Sequence, residues 1–230
     1  MQLRTLALAL AAATVTLVAC DDDGDLTGLV SNSATVQFIN ATALSLDIAQ
    51  GGTVATGNGA LSYGTASSCI AADATSSNIA VRQTGTSTAL PGFSPTFLAG
   101  SKYSVIVYPG AGGTTQFATV SNAFTPTTGQ GGLRVFNAAG AATSYDIYIG
   151  AAGGSATTLV ANNVGFGSVS SYFNVAAGTA QQVRITNAGS QAVVLDAGSR
   201  TFTAGQNATL VLAPPAAGGT APRAFFVNGC

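Results

Sequence analysis

The chain is written twice. Phe38-Ile39-Asn40-Ala41 recurs as Val135-Phe136-Asn137-Ala138, and Ser45-Leu46-Asp47-Ile48 recurs as Ser144-Tyr145-Asp146-Ile147. Tyr63-Gly64-Thr65-Ala66-Ser67-Ser68 is answered by Phe166-Gly167-Ser168-Val169-Ser170-Ser171, and Val81-Arg82 by Val183-Arg184. Thr96-Phe97-Leu98-Ala99-Gly100 is answered by Thr201-Phe202-Thr203-Ala204-Gly205, each leading into an apolar run that ends in proline, Pro109 and Pro214. The blocks keep their order. The fold must therefore be one that a unit of roughly 95–100 residues completes, which is the size of a β-sandwich and well above that of a solenoid repeat. The seam is Thr125-Pro126-Thr127-Thr128-Gly129-Gln130-Gly131-Gly132, which gives a first repeat at 34–124, a linker at 125–132 and a second repeat at 133–230.

Alternation with a period of two predicts strands inside each unit. Tyr145, Ile147 and Ile149 share one face and Asp146 and Tyr148 the other, while Leu46 and Ile48 oppose Asp47 and Ala49. Val183 and Ile185 oppose Arg184 and Thr186, and Ile79 and Val81 oppose Ala80 and Arg82. The run from Tyr103 to Tyr108 is apolar on nearly both faces, the pattern of a strand covered on both sides. No stretch beyond the N-terminal segment shows a 3.6-residue period. The expected fold is all-β, two tandem immunoglobulin-like antiparallel β-sandwiches.

The N-terminus carries an address. One arginine, an apolar run over 6–18 and then Leu17-Val18-Ala19-Cys20 have the parts of a secretory signal with a cysteine at the cut. This resembles the bacterial lipobox and implies a signal peptide at 1–19, cleavage before Cys20 and acyl chains on that residue. Several chains hold stably where one does not, and the apolar run is shorter than the ~20 residues a spanning helix needs. Asp21, Asp22, Asp23 and Asp25 follow at once. Gly24 comes too early for a calcium loop and no closing glutamate exists, so residues 20–33 read as an acidic tether. The expected location is the bacterial envelope, lipid-anchored at the outer membrane, with periplasmic and surface-exposed sides both open.

Composition narrows the chemistry. Only 7% of residues are charged, 29 are glycine, and there is no histidine or tryptophan. Nucleophilic triads need a base that titrates near neutrality, and no histidine supplies one. The chain has no glutamate, and the carboxylates beyond the tether are Asp47, Asp73, Asp146 and Asp196. Asp47 and Asp146 hold the same place in their own repeats, so they describe a repeated structural position and not one divided acid/base pair. Lys102, between Ser101 and Ser104, answers Asn207 in a turn and reads as a solvated lysine. Gly110, Gly112 and Gly113 lie between strands with no helix to follow, so they read as turn glycines and not as a phosphate cradle. No metal site, cofactor or catalytic residue is expected. The basic residues are scattered singly, which argues against nucleic acid.

Two features stay open between readings. Cys69 and Cys230 either pair, closing a very long loop in an oxidising compartment, or remain two thiols. Arg82 and Arg184 either stand as surface cations or pair with Asp47 and Asp146, and the recurrence of both members favours a structural pair.

The second half, through Leu133-Arg134-Val135-Phe136-Asn137-Ala138, Asp146-Ile147-Tyr148-Ile149-Gly150, Val164-Gly165-Phe166-Gly167 and the Ala204-Gly205 step, resembles the bacterial domain-of-unknown-function family DUF4397. The first half resembles it more weakly, and the proline often found between Asn-Ala and the aspartate strand is missing. The resemblance implies an immunoglobulin-like sandwich in envelope or secreted proteins and brings no catalytic residues. The expected function is a non-catalytic structural, adhesive or interaction module that touches the membrane through Cys20 and an unknown envelope or extracellular protein or glycan; the glycine-rich loops 50–59 and 150–156 read either as recognition loops or as plain connectors, the connector reading slightly ahead. The alternative is a ligand- or glycan-binding lipoprotein.

Overall fold

The computed structural model describes residues 32–74, 78–140, 143–215 and 221–230, and the address and lipidation site at Cys20 lie outside them. The first repeat contributes β1 (Ser33–Asn40), β2 (Leu46–Gln50), β3 (Thr53–Val54), β4 (Ile70–Asp73), β5 (Ile79–Gln83), β6 (Lys102–Pro109) and β7 (Thr115–Ser121). The second contributes β8 (Gln130–Asn137), β9 (Tyr145–Ala151), β10 (Thr158–Val164), β11 (Phe173–Ala176), β12 (Ala180–Asn187), β13 (Val193–Thr201), β14 (Asn207–Ala213) and β15 (Arg223–Asn228). The described residues contain no α-helix, only a short 3-10 turn at Ala111–Gly113. β8 starts inside the expected linker, so its last three residues, Gln130, Gly131 and Gly132, are strand.

Each repeat builds an outer and an inner sheet. The outer sheets run β3-β2-β5 and β10-β9-β12-β13, and the inner ones β4-β1-β6-β7 and β11-β8-β14-β15. The expectation of purely antiparallel sheets needs correcting, because β1 pairs with β6 in parallel and β8 with β14 in parallel. The physical reason is the path of the chain: after β1 it crosses to build the outer sheet and returns beside β1 running the same way. A parallel pair requires a long crossover of this kind.

Alternation in the inner strands feeds two cores at once. Val36 and Phe38 of β1, with Val105 and Val107 of β6, face Leu46, Ile48, Ile79 and Val81 of the outer sheet. Leu133, Val135, Leu210 and Leu212 do the same toward Tyr145, Ile147, Val183 and Ile185. The opposite faces of the inner strands meet each other: Ile39, Ile106 and Tyr108 pack with Phe136, Val211, Ala213 and Val227. The two repeats therefore share a third core, and residues 31–230 form one compact unit. The double-faced apolarity of the Tyr103–Tyr108 run has its cause here, since β6 is interior to its sheet and covered on both sides.

The repeated blocks build the turns and the shared core. Asn40 and Asn137, both buried, hold the loop after the first strand of each repeat. The Asn40 amide donates to Leu44 O and Leu61 O and its oxygen accepts from Thr42 N. The Asn137 amide donates to Thr143 O and Val164 O and its oxygen accepts from Ala139 N. Phe38 N donates to Ser67 Oγ at 2.8 Å and Val135 N to Ser170 Oγ at 2.9 Å, so a serine hydroxyl stands in for a missing ladder partner. The aromatic-glycine turns reach across the seam. Tyr63 packs edge-on against Phe225 and donates to Pro214 O at 2.6 Å, while Phe166 packs edge-on against Tyr108.

Candidate functional site

The repeated carboxylates are held by backbone. Asp47 Oδ1 accepts from Ala60 N at 2.7 Å and from Thr84 Oγ1 at 2.9 Å. Asp146 accepts from Asn163 N at 2.7 Å and Gly189 N at 2.8 Å. Ala60 and Asn163 have φ of 53° and 51°, a left-handed conformation that non-glycine residues rarely adopt. Asp47 thus fixes a left-handed residue in a turn, and Asp146 a left-handed residue at the register shift inside β10. The Ala60 N–H is the main reason the Asp47 carboxyl sits below its ordinary range; burial opposes it, and Thr84, Gly85 and the Arg82 charge add to it.

The expected structural pairs need correcting. Asp47 and Arg82 are register partners across β2 and β5, yet the Arg82 guanidinium donates to Gly52 O at 3.0 Å and forms no ion pair with Asp47. Arg184 pairs with Asp196, Nε to Oδ2 at 3.5 Å, and not with Asp146. Backbone N–H groups already occupy both repeated carboxylates. The arginines are also not equivalent: Arg82 lies opposite Asp47, whereas Arg184 lies opposite Tyr148 and Thr186 lies opposite Asp146. The matching Val-Arg dipeptides are two residues out of register.

Cys69 and Cys230 come together in a disulfide, with Cα atoms 6.1 Å apart and 161 residues between them in sequence. It ties the segment before β4 to the segment after β15. Lys102 Nζ donates to Cys230 O at 2.7 Å on the same edge of the seam.

Arg134 is the functional-looking residue that sequence reading passed over as one scattered cation. It is 3% exposed inside the seam. Its guanidinium donates to Thr209 Oγ1, Ser121 O and Asn122 Oδ1, and lies 4.6 Å from the centre of the Tyr172 ring. Tyr172 in turn stacks on Phe124 at 4.9 Å. Burial pulls the Arg134 pKa down from its usual value. A lone charge in a strand apolar on both faces was the available signal. The position in the first repeat is Gln37, also buried, which donates to Ser67 O.

Two of the surface concavities bear on a binding site. One of about 470 Å³ lies along the seam beside Lys102, Asn122, Phe124, Asn207 and Cys230. The other, of about 280 Å³, opens on the solvent face of the second outer sheet, lined by Tyr148 of β9, Arg184 and Thr186 of β12, Val193 of β13, Gln191 of the preceding turn, and Ala156 and Thr157. Residue 156 ends the 150–156 loop, which the sequence left open between recognition and plain connection. Tyr148 and Arg184 are register partners, so the sheet itself sets an aromatic ring beside a guanidinium. Among the described residues no three His, Cys, Asp or Glu side chains converge to hold a metal. What this arrangement offers is an aromatic and aliphatic wall with hydrogen-bond donors and acceptors beside it, the chemistry of binding.

No curated protein matches the chain. A family profile matches it twice, at residues 34–148 and 131–228. By that coverage and the duplicated architecture beneath it, the chain belongs to the domain of unknown function family DUF4397, as a tandem pair.

Proposed function

We propose that this protein is a lipid-anchored, non-catalytic interaction module of the bacterial envelope, in which two immunoglobulin-like halves act as one rigid body. The observation that carries the reading is the shared core: Phe136 and Ile39 lie fully buried between inner sheets that belong to different repeats, and a disulfide closes the same seam. A body built this way presents its outer faces in a fixed relation, which suits display and recognition more than domain closure around a substrate. The fate of the polar residues points the same way. Asp47, Asp146, Asn40 and Asn137 are spent on turns. Two sheets over one core in each half support the immunoglobulin-like reading, and the parallel β1–β6 and β8–β14 pairs are a departure from the usual all-antiparallel order. Leu17-Val18-Ala19-Cys20 supports the anchor.

The test is metabolic labelling with a fatty-acid analogue in cells that express the full chain or Cys20→Ser. Label on the parent and none on the variant is the expected result, and equal labelling of both overturns the anchor. A protease site engineered between Asp25 and Ser31 then reports the leaflet. Release of the body from intact cells means surface display, and release only after the outer membrane is opened means a periplasmic partner. A second reading, a glycan-binding lipoprotein, is favoured by the cavity at Tyr148 and Arg184.

A further inference from the structure

We propose that the solvent face of the second outer sheet binds a neutral saccharide in the cavity between Tyr148, Arg184 and Gln191. The inference rests on the non-catalytic interaction reading and gives it a site and a ligand class. Polar groups are used differently in the repeated blocks and around this cavity. In the repeated blocks, side-chain amides, carboxylates and hydroxyls hold backbone. Around this cavity they do not: the Tyr148 phenol, the Gln191 amide, the Thr157 hydroxyl and the terminal guanidinium nitrogens of Arg184 make no hydrogen bond among the described residues. Thr186, 2% exposed and lining the same cavity, keeps a buried hydroxyl with no partner. Buried groups of this kind are few in native proteins, and each calls for a cause.

The chemistry selects the ligand. A sugar ring has an apolar C–H face and a rim of hydroxyls, each donor and acceptor at once. Tyr148, half-exposed Val193 and Ala156 supply the apolar wall. The Arg184 fork suits two neighbouring hydroxyls, and Gln191 both donates and accepts. Arg184 is already neutralised by Asp196 at 3.5 Å, so the site has no net charge with which to draw a polyanion and favours a neutral ring. A volume of about 280 Å³ sits just below the range of drug-sized pockets and suits one or two rings. The first repeat is an internal control. By register, Tyr148 and Arg184 correspond to Ala49 and Ala80, so the duplicated scaffold carries the site once.

Saturation-transfer NMR on the full chain tests this with N-acetylglucosamine, galactose, their β-linked trisaccharides, glucuronate and acetate as probes. Saturation transfer to at least one neutral sugar is expected, weakened at least about tenfold, roughly one lost hydrogen bond, in Tyr148→Ala and in Arg184→Gln. Arg82→Gln, on the first repeat, leaves it unchanged. Gln191→Ala, in an exposed turn, serves as a third variant should a strand substitution unfold the chain. No transfer to any neutral sugar, transfer that survives all three substitutions, or a response confined to glucuronate and acetate overturns the proposal. Sugar recovered unchanged keeps the non-catalytic reading, whereas chemical conversion of a bound sugar overturns that reading and leaves the site standing.

Discussion

The two outer sheets are made from matching sequence and end differently. In the second repeat, strands of seven, seven, eight and nine residues form a broad face. In the first, β2 and β5 have five residues each, β3 has two, and among the described residues no counterpart of β13 forms. A remnant of that pairing survives as the isolated bridge between Arg82 and Ala89. Beyond it stand Pro91 and Pro95, which lack the N–H a ladder needs. The segment instead sends aromatics inward: Phe93 packs on Phe38 and Phe117 at 5.6 and 5.0 Å, and Phe97 packs on Tyr103 at 5.2 Å. One repeat closes its sheet with a plug of rings and the other extends it as a surface. Residues common to both copies hold turns and cores, and residues unique to the second copy line the open face.

If the repeats are halves of one body despite this difference, the largest effect should come from cutting the covalent tie. Closing a loop of this length contributes up to about 5 kcal/mol by the chain-entropy account. Cys69→Ser with Cys230→Ser should therefore lower the denaturant midpoint strongly while leaving one cooperative transition, read by fluorescence and circular dichroism together. Two separate transitions would break the comparison by making each repeat a domain in its own right.

The shared core gives the next effect. Phe136, fully buried between the inner sheets, should cost about 3–5 kcal/mol on substitution by alanine, and its counterpart Ile39 about 2–5. Hydrogen exchange should then show lost protection in both repeats for either variant. Loss confined to the repeat that carries the substitution would mean the seam transmits little.

Much of this was legible in the order of residues. The duplication and the inward faces of β2, β9 and β12 followed from matched blocks and a period of two, and the double-sided strand β6 followed from its unbroken apolar run. Strand neighbours did not follow, because nothing local in β1 distinguishes a parallel partner from an antiparallel one. The arginines misled because a dipeptide match ignores register, and a slip of two keeps a residue on its face while changing its partner. The candidate site was legible only at the end of its 150–156 loop; Arg184, Thr186 and Gln191 were not, because the site is absent from the first copy and comparing the copies reveals only what they share.

Asn40 and Asn137 sharpen the comparison at finer scale. Each bridges two carbonyls and accepts a backbone N–H two residues on. Substitution by alanine leaves buried carbonyls unpaired, at about 1–3 kcal/mol. The two variants should fall within about 0.5 kcal/mol of each other by denaturant unfolding, the size of an ordinary surface effect. Asn40 also accepts from Thr42 Oγ1, so any excess belongs to Asn40→Ala. A large excess for Asn137→Ala would show that the second repeat leans on its loop more than the matched contacts imply.

The smallest effect is acid dependence at Asp47. Its folded-state pKa lies below the unfolded value, chiefly because Ala60 N–H donates to the ionised form. A depressed carboxylate stabilises the fold above about pH 4 and loses that contribution as pH falls through the folded value. Asp47→Asn keeps the shape and gives up the charge-assisted part, about 1 kcal/mol at neutral pH. Thermal midpoints of the parent and the variant should therefore differ at pH 7 and converge on acidification. Because the repeats share a core, the difference should appear in the single transition of the whole body. A constant gap from pH 7 to pH 2 would mean that the carboxylate acts through shape alone, and a gap limited to an early partial transition would separate the first repeat from the second.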